Sequence, residues 1–263
     1  MHRTFKSLLP MLLLTVFLFA ATGCGWLFRS ADPSFPTPDP QQTAPGDDQE
    51  NIDPISRELA GMTLEERIGQ LFMMGLDGPQ ATEEDLRKIE EFHVGGFILF
   101  GRNMTSPEQI AHLMRELKTT HAGPPLLIGV DEEGGAVSRL PEPLHTLPTA
   151  RTVAKTVTPE DAERLAEASG RLLKNLGFNV NFAPVLDVDS NPDNPVIGSR
   201  AYGTSPEQVT AYGLSVMSGL QQAGIISAAK HFPGHGDTAV DSHIGLPVID
   251  HSPERLEQVE FAP

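Results

Sequence analysis

The sequence predicts an α/β fold assembled from repeated strand–helix units. Helix starts recur at a regular spacing. Ser106-Pro-Glu, Thr158-Pro-Glu, Ser205-Pro-Glu and Ser252-Pro-Glu each set a hydroxyl N-cap before a Pro at the first helical position. Each also places an acid in the first turn, where the helix dipole favours it. Thr63-Leu-Glu-Glu66 is a capping box of the same meaning. The starts at 63, 106, 158, 205 and 252 lie 43, 52, 47 and 47 residues apart, the length of a helix, a strand and their loops. Between them lie short apolar runs, and the third observation is that polar residues gather just after those runs.

The runs are Leu71–Met74, Gly96–Phe100, Pro125–Val130, Val180–Leu186 and Ile225–Ala229. Near-continuous apolar strands alternating with helices argue for a parallel sheet covered by helices. Gly177 closes the helix that runs through Leu172–Leu176. Both an open doubly wound sheet and a (β/α)8 TIM-barrel-like domain fit this alternation. The polar groups favour the barrel. Asp77, Gly101-Arg-Asn103, Asp131-Glu-Glu-Gly-Gly135, Asp187-Val-Asp189 and Lys230-His231 all follow strands, and barrels draw their site residues from several strand ends. About five or six βα units are countable, so the expected barrel is incomplete in this chain. No Gly-x-Gly-x-x-Gly or P-loop pattern points to a nucleotide.

The N-terminus reads as an export segment. Arg3 and Lys6 precede an apolar run from Leu8 to Ala21, too short for a comfortable membrane span. Ala21-Thr-Gly-Cys24 then ends in the only cysteine, which excludes an intrachain disulfide. A lone Cys after small residues resembles a bacterial lipobox, which implies residues 1–23 as a signal peptide and a lipid on Cys24. An ordinary signal peptide or an uncleaved anchor, with an incidental Cys, is the alternative. Residues 24–51 are rich in Pro, Asp, Gln and Thr and read as a semi-extended tether. Residues 52–263 are the expected folded domain. The plan is that of an exported lipoprotein on the extracytoplasmic side of a bacterial cell membrane.

The formal net charge is −16. Without residues 1–23 the chain keeps 17 basic against 35 acidic residues. That excludes a general nucleic-acid binder, which needs a basic face.

The chemistry concentrates in Lys230-His-Phe-Pro-Gly-His-Gly-Asp-Thr-Ala-Val-Asp-Ser-His243. In an extended segment Asp241 and His243 point to one side. The carboxylate can then fix the imidazole tautomer, making His243 a candidate general acid/base. A structural His–Asp bond is the competing reading. His231, His235, Asp237, Asp241 and His243 are also metal-ligand types, but their spacing matches no zinc pattern. Asp131 with Arg139 suits a polyhydroxylated ligand, one accepting from hydroxyls and the other donating. Arg200 ends a long loop, Asn191–Gly203, of a kind that is commonly functional. For Asp131, Arg139 and Arg200 a purely local surface role is the alternative.

Lys230-His-Phe-Pro-Gly-His-Gly-Asp-Thr238, followed by Asp241-Ser-His243 and Leu246-Pro247, resembles the signature of glycoside hydrolase family 3 in its bacterial β-N-acetylhexosaminidase branch. Ile68-Gly-Gln-Leu71, Gly95–Gly101, Gly129-Val-Asp-Glu-Glu-Gly-Gly135, Ala183-Pro-Val-Leu-Asp187 and Ser199–Gly203 agree with it, from roughly Ile55 onward. The resemblance implies removal of terminal β-linked N-acetylglucosamine, from peptidoglycan-derived muropeptides, with retention of configuration and without a cofactor. It implies that Asp131, Arg139, Arg200, Lys230 and His231 hold the sugar, that His243 moves the proton and that Asp241 orients it. A His–Asp pair there replaces the usual carboxylic acid. The family's nucleophilic Asp lies downstream of the dyad, and nothing after His243 matches it. The sequence therefore leads us to expect a truncated or partial chain that is inactive alone. A sugar-binding lipoprotein without hydrolysis and a metal-dependent hydrolase are the competing functions.

Overall fold

Each hydroxyl cap singled out above closes a helix start. In the computed structural model, Ser106, Thr158, Ser205 and Ser252 accept the backbone N–H three residues on, at 3.2, 3.3, 3.4 and 3.4 Å. Thr63 and Glu66 close a reciprocal capping box. The structure describes residues 53–121, 123–145 and 147–263. The export segment, Cys24 and the Pro-rich tether lie outside those residues.

The helices are α1 (Pro54–Gly61), α2 (Leu64–Gly69), α3 (Glu83–Phe92), α4 (Pro107–Thr120), α5 (Ala150–Thr156), α6 (Pro159–Leu176), α7 (Pro206–Gln222) and α8 (Pro253–Gln258). Three of these were not singled out by the sequence reading: α1, α3 and α5. They begin at Asp53, Thr82 and Thr149, whose side chains cap them in the same way. Gly177 ends α6 at φ 105°, a left-handed conformation that glycine adopts without strain. The last helix stops at Gln258, and Glu260 lies beyond it.

Five strands, β1 (Met73–Gly75), β2 (Gly96–Leu99), β3 (Leu127–Val130), β4 (Val180–Asn181) and β5 (Ile226–Ser227), form one parallel sheet in the order β1-β2-β3-β4-β5. Order in space follows order in sequence without reversal. A doubly wound sheet reverses at a switch point, whereas this winding is that of an arc of a (β/α)8 barrel. β4 is shorter than the apolar run Val180–Leu186 because Pro184 has no N–H to donate. The chain nevertheless stays beside β5, where Lys230 N–H donates to Pro184 O at 3.1 Å and Leu186 N–H to Lys230 O at 2.6 Å.

Phe97 pairs in register with Ile128, and Leu99 with Val130. All four are fully buried with Ile110, Leu113 and Leu117 of α4 and Leu173 of α6. Burying each such side chain is worth about 1.5–3 kcal/mol. The reverse face of the sheet carries Met73, Leu127 and Ile226, which are exposed. Helices α6 and α7 touch closely because a Cβ on Gly219 would meet Glu163 O at 2.2 Å. The packed layer thus holds the strand ends rigidly, and the polar groups of interest project from their C-terminal side.

Candidate active site

Val130 ends β3 and the chain turns at Gly134 and Gly135, both at positive φ. Between them lie Asp131, Glu132 and Glu133, and the structure gives each a different task. Glu132 is buried in the loop: its backbone pairs with the Asn181 amide, and its carboxylate accepts Ser138 Oγ–H at 2.6 Å and Arg139 N–H at 2.9 Å. Asp131 and Glu133, two residues apart, both reach Lys230. Lys230 Nζ lies 2.7 Å from Asp131 Oδ1 and 2.5 Å from Glu133 Oε1. Lys230 itself follows β5 and bridges to Val185.

Glu133 is the centre of the cluster. Its side chain is 5% exposed, and Arg200 donates to both of its oxygens, Nε to Oε2 and Nη2 to Oε1, each at 2.8 Å. That is the bidentate fork for which a guanidinium is preorganised. Burial alone would raise the Glu133 carboxyl, but the Arg200 hydrogen bonds and the Lys230 charge outweigh it and hold the group below the ordinary carboxylate range. Arg200 Nη2 also lies 3.3 Å from His231 Nε2. An arginine has no acceptor, so Nε2 must accept, and the ring hydrogen sits on Nδ1. That Nδ1 lies 2.6 Å from Asp187 Oδ2, a carboxylate with no exposed surface. The other Asp187 oxygen accepts His235 N–H at 2.7 Å.

The structure therefore brings together Asp131, Arg200, Lys230 and His231, four of the residues expected to hold a sugar, through Glu133 and Asp187. Arg200, partly buried, is tied into this cluster by its fork onto Glu133. Asp131 meets Lys230 through Oδ1, and its side chain is partly exposed. Arg139 is positioned through its backbone by Glu132, and its Nε is buried without a hydrogen-bond partner. No described contact joins the Arg139 side chain to the Glu133 cluster.

The long loop holding Arg200 is anchored from outside. Arg151 on α5 donates to Asp189 Oδ2 at 2.7 Å, to Ala201 O at 3.1 Å and to Gly198 O at 3.2 Å, fixing the turn Gly198–Arg200. Sequence reasoning missed Arg151 and the central part played by Glu133. The spacing of Asp131 and Glu133, which puts both on one side of an extended segment, was the available signal for the second.

Asp241 and His243 form their pair, Nδ1 to Oδ1 at 2.7 Å, but not in the way expected. The segment is a turn and not an extended strand. Asp241 Oδ1 also accepts His243 N–H at 2.9 Å, the Asx-turn habit of an aspartate bonding its own backbone two residues on. These bonds, backbone first, lower the Asp241 carboxyl. The imidazole is 83% exposed and has no contact with the Glu133 cluster. His235 and Asp237 shape the loop. His235 Nδ1 bonds Thr238 Oγ1 at 2.5 Å and its Nε2 lies 3.3 Å from Ser242 Oγ, while Asp237 pairs with His251. Among the described residues no group of three or more His, Cys, Asp or Glu is arranged to hold a metal ion.

Comparison with known proteins agrees on one family. The model of the glycosyl hydrolase family 3 N-terminal domain matches residues 63–263. The chain is 41% identical over 183 residues to beta-hexosaminidase A of Pseudoalteromonas piscicida, covering 66% of this chain and 31% of that protein. It is similar to the solved glycoside hydrolase family 3 β-N-acetylglucosaminidase from Paenibacillus sp. str. FPU-7, with a TM-score of 0.74, 44% identity and coverage of 76% and 39%. NagZ from Neisseria gonorrhoeae, in complex with N-trifluoroacetyl-D-glucosamine, is similar with a TM-score of 0.68, 34% identity and coverage of 72% and 57%. The chain spans 31% to 58% of the length of the curated relatives it matches.

Proposed function

The chain belongs to glycosyl hydrolase family 3, and from that premise we propose that it supplies the sugar-binding cluster and the acid/base pair of a retaining β-N-acetylhexosaminidase. The substrate is a glycan ending in β-linked N-acetylglucosamine, of the peptidoglycan or muropeptide type. The observation that carries this reading is the Glu133 cluster. Asp131, Glu133 and Asp187 are matched against Arg200 and Lys230 at the C-terminal ends of β3, β4 and β5. With three carboxylates against two cations and a neutral His231, the set carries no excess of positive charge, which suits a neutral polyhydroxylated ring better than a phosphate. Asp131 accepts from a sugar hydroxyl, while Lys230, His231, Arg200 and Arg139 orient the ring.

In the proposed reaction a carboxylate attacks the anomeric carbon as His243 gives its proton to the departing glycosidic oxygen. Water then attacks the glycosyl-enzyme and returns a proton to His243, freeing the carboxylate. Asp241 orients the ring throughout. Residues 244–263 hold no match to the family's nucleophile, so these 263 residues alone are proposed to turn over negligibly. Sugar binding is therefore the decisive test. Calorimetric titration with N-acetylglucosamine should give saturable heat that Arg200→Ala abolishes, and wild-type protein giving no heat would refute the reading. The same cluster also serves a non-hydrolytic cell-wall sugar binder. Release of a chromophore from an aryl N-acetyl-β-glucosaminide by these residues joined to a downstream stretch that supplies the nucleophile separates the two readings: release supports the hydrolase, and no release with sugar still bound supports the binder.

We read residues 1–51 as signal, lipidated Cys24 and tether, holding the domain outside the bacterial cell membrane. The support is the apolar run ending in Ala21-Thr-Gly-Cys24. The mass of the mature N-terminus tests it: a lipid-modified Cys24 is expected, and an unmodified Cys24 within a longer chain would contradict it.

A further inference from the structure

No described contact joins the sugar cluster to the Asp241–His243 pair directly, but two links run from the cluster side to His235: Asp187 Oδ1 accepts His235 N–H at 2.7 Å, and the Asn194 side chain bridges from the loop that carries Arg200. Asn194 lies in the loop that carries Arg200. Its Oδ1 accepts the backbone N–H groups of Val196 and Ile197, each at 2.8 Å, and Arg200 N–H donates to Ile197 O at 2.8 Å. Its Nδ2 crosses to the other loop, donating to His235 O at 2.8 Å, with Gly236 O at 3.2 Å and Thr238 Oγ1 at 3.4 Å. The His235 ring then reaches Ser242 Oγ, between Asp241 and His243. The two loops touch backbone to backbone at the same place. A Cβ on Gly236 would meet Val188 O at 1.8 Å, so only glycine allows this approach. Asn191 Nδ2 adds a 3.4 Å contact to Asp237 O.

We propose that Asn194 is a positioning residue that couples the sugar-holding loop to the loop bearing the proton-transfer pair. The inference rests on the sugar-binding reading above. Arg200, when a sugar fixes it, steadies the Gly198–Arg200 turn and so the Asx turn made by Asn194. The Nδ2 hydrogen bonds pass that order to His235 and, through Ser242, to Asp241 and His243. The coupling is an ordering effect: the exposed loop loses freedom when the buried loop does. The side chain splits its two tasks between its two ends, which makes the proposal separable by chemistry. Asn194→Asp keeps an oxygen to accept from Val196 and Ile197. It also sets a second oxygen, an acceptor without a hydrogen, against the His235 and Gly236 carbonyls.

Amide hydrogen exchange on the 263-residue chain and on Asn194→Asp, with and without N-acetylglucosamine, tests this. In the absence of sugar, the variant should exchange about tenfold faster over residues 235–245, as loss of one net hydrogen bond would give, while residues 127–131 and 225–230 stay unchanged. Sugar should slow exchange over 235–245 in the wild type and not in the variant. Exchange in Asn194→Asp within twofold of wild type over that loop would overturn the bridge. An equal acceleration across the strands would also overturn it, by showing a general structural role. Calorimetry on the same wild-type sample keeps the two claims apart. Absence of heat would refute the sugar reading and the sugar-dependent half of the coupling, whereas heat with unchanged exchange would refute the bridge alone.

Discussion

The Glu133 cluster and the Asp241–His243 pair are built in opposite ways. Around Glu133, groups from the ends of β3, β4 and β5 interlock under cover: Arg200 forks onto the carboxylate, Lys230 bridges it to Asp131, and His231 leans on a fully buried Asp187. The Asp241–His243 pair stands in solvent on a turn and bonds mainly to itself. Under the proposed function, a cluster that meets a sugar ring at several points gains from preorganisation, because side chains already held by one another lose little further freedom on binding. In the role proposed for it, the pair gives a proton and takes one back, and an exposed turn leaves it within reach of solvent and substrate. The difference teaches that one signature of residues, continuous in sequence, divides at about Gly236 into a half interlocked under cover and a half exposed on a turn.

The largest effect expected from breaking this contrast is at Glu133. Glu133→Ala leaves Arg200 and Lys230 without their shared partner. Removing one member of a buried charge set costs about 3–5 kcal/mol, so urea unfolding should show a loss of that order together with loss of N-acetylglucosamine binding. A variant as stable as wild type would show that the cluster is not structurally coupled.

A smaller effect follows with pH. The Glu133 carboxyl is lowered in the folded protein relative to an unfolded value near 4.3. Its contribution to stability is therefore complete at neutral pH and fades as pH falls from about 4 through the folded value. The stability gap between wild type and Glu133→Gln should narrow on acidification in urea titrations at pH 7, 5 and 3. A gap that widens in acid would reverse the sign of the argument.

Much of this arrangement is legible in the sequence, and the parts that are not have physical causes. The hydroxyl caps at Ser106, Thr158, Ser205 and Ser252 mark helices because a local hydrogen bond decides them. Strand ends are less legible, since an apolar run does not reveal where pairing stops; Pro184 cut β4 short. Asp131, Arg200, Lys230 and His231 were identified as candidates, but the acid that joins them was not, because three acids in a row look alike until the fold turns Glu132 inward. Asp241 and His243 were paired correctly, but through an extended segment where the structure has a turn. The pairing survives because the Asp side chain needs only its own backbone two residues on. Arg151 and Asn194 act across 38 to 50 and 41 to 44 positions of sequence, distances over which no local pattern speaks.

The division between an interlocked and an exposed half is tested most directly by titrating N-acetylglucosamine into an Asp241→Ala, His243→Ala double variant beside the wild type. The account predicts the same thermal midpoint and an affinity within about twofold of wild type, since each partner of the exposed pair bonds chiefly to the other. Loss of sugar binding in that variant would contradict it, by showing that the two halves are one site.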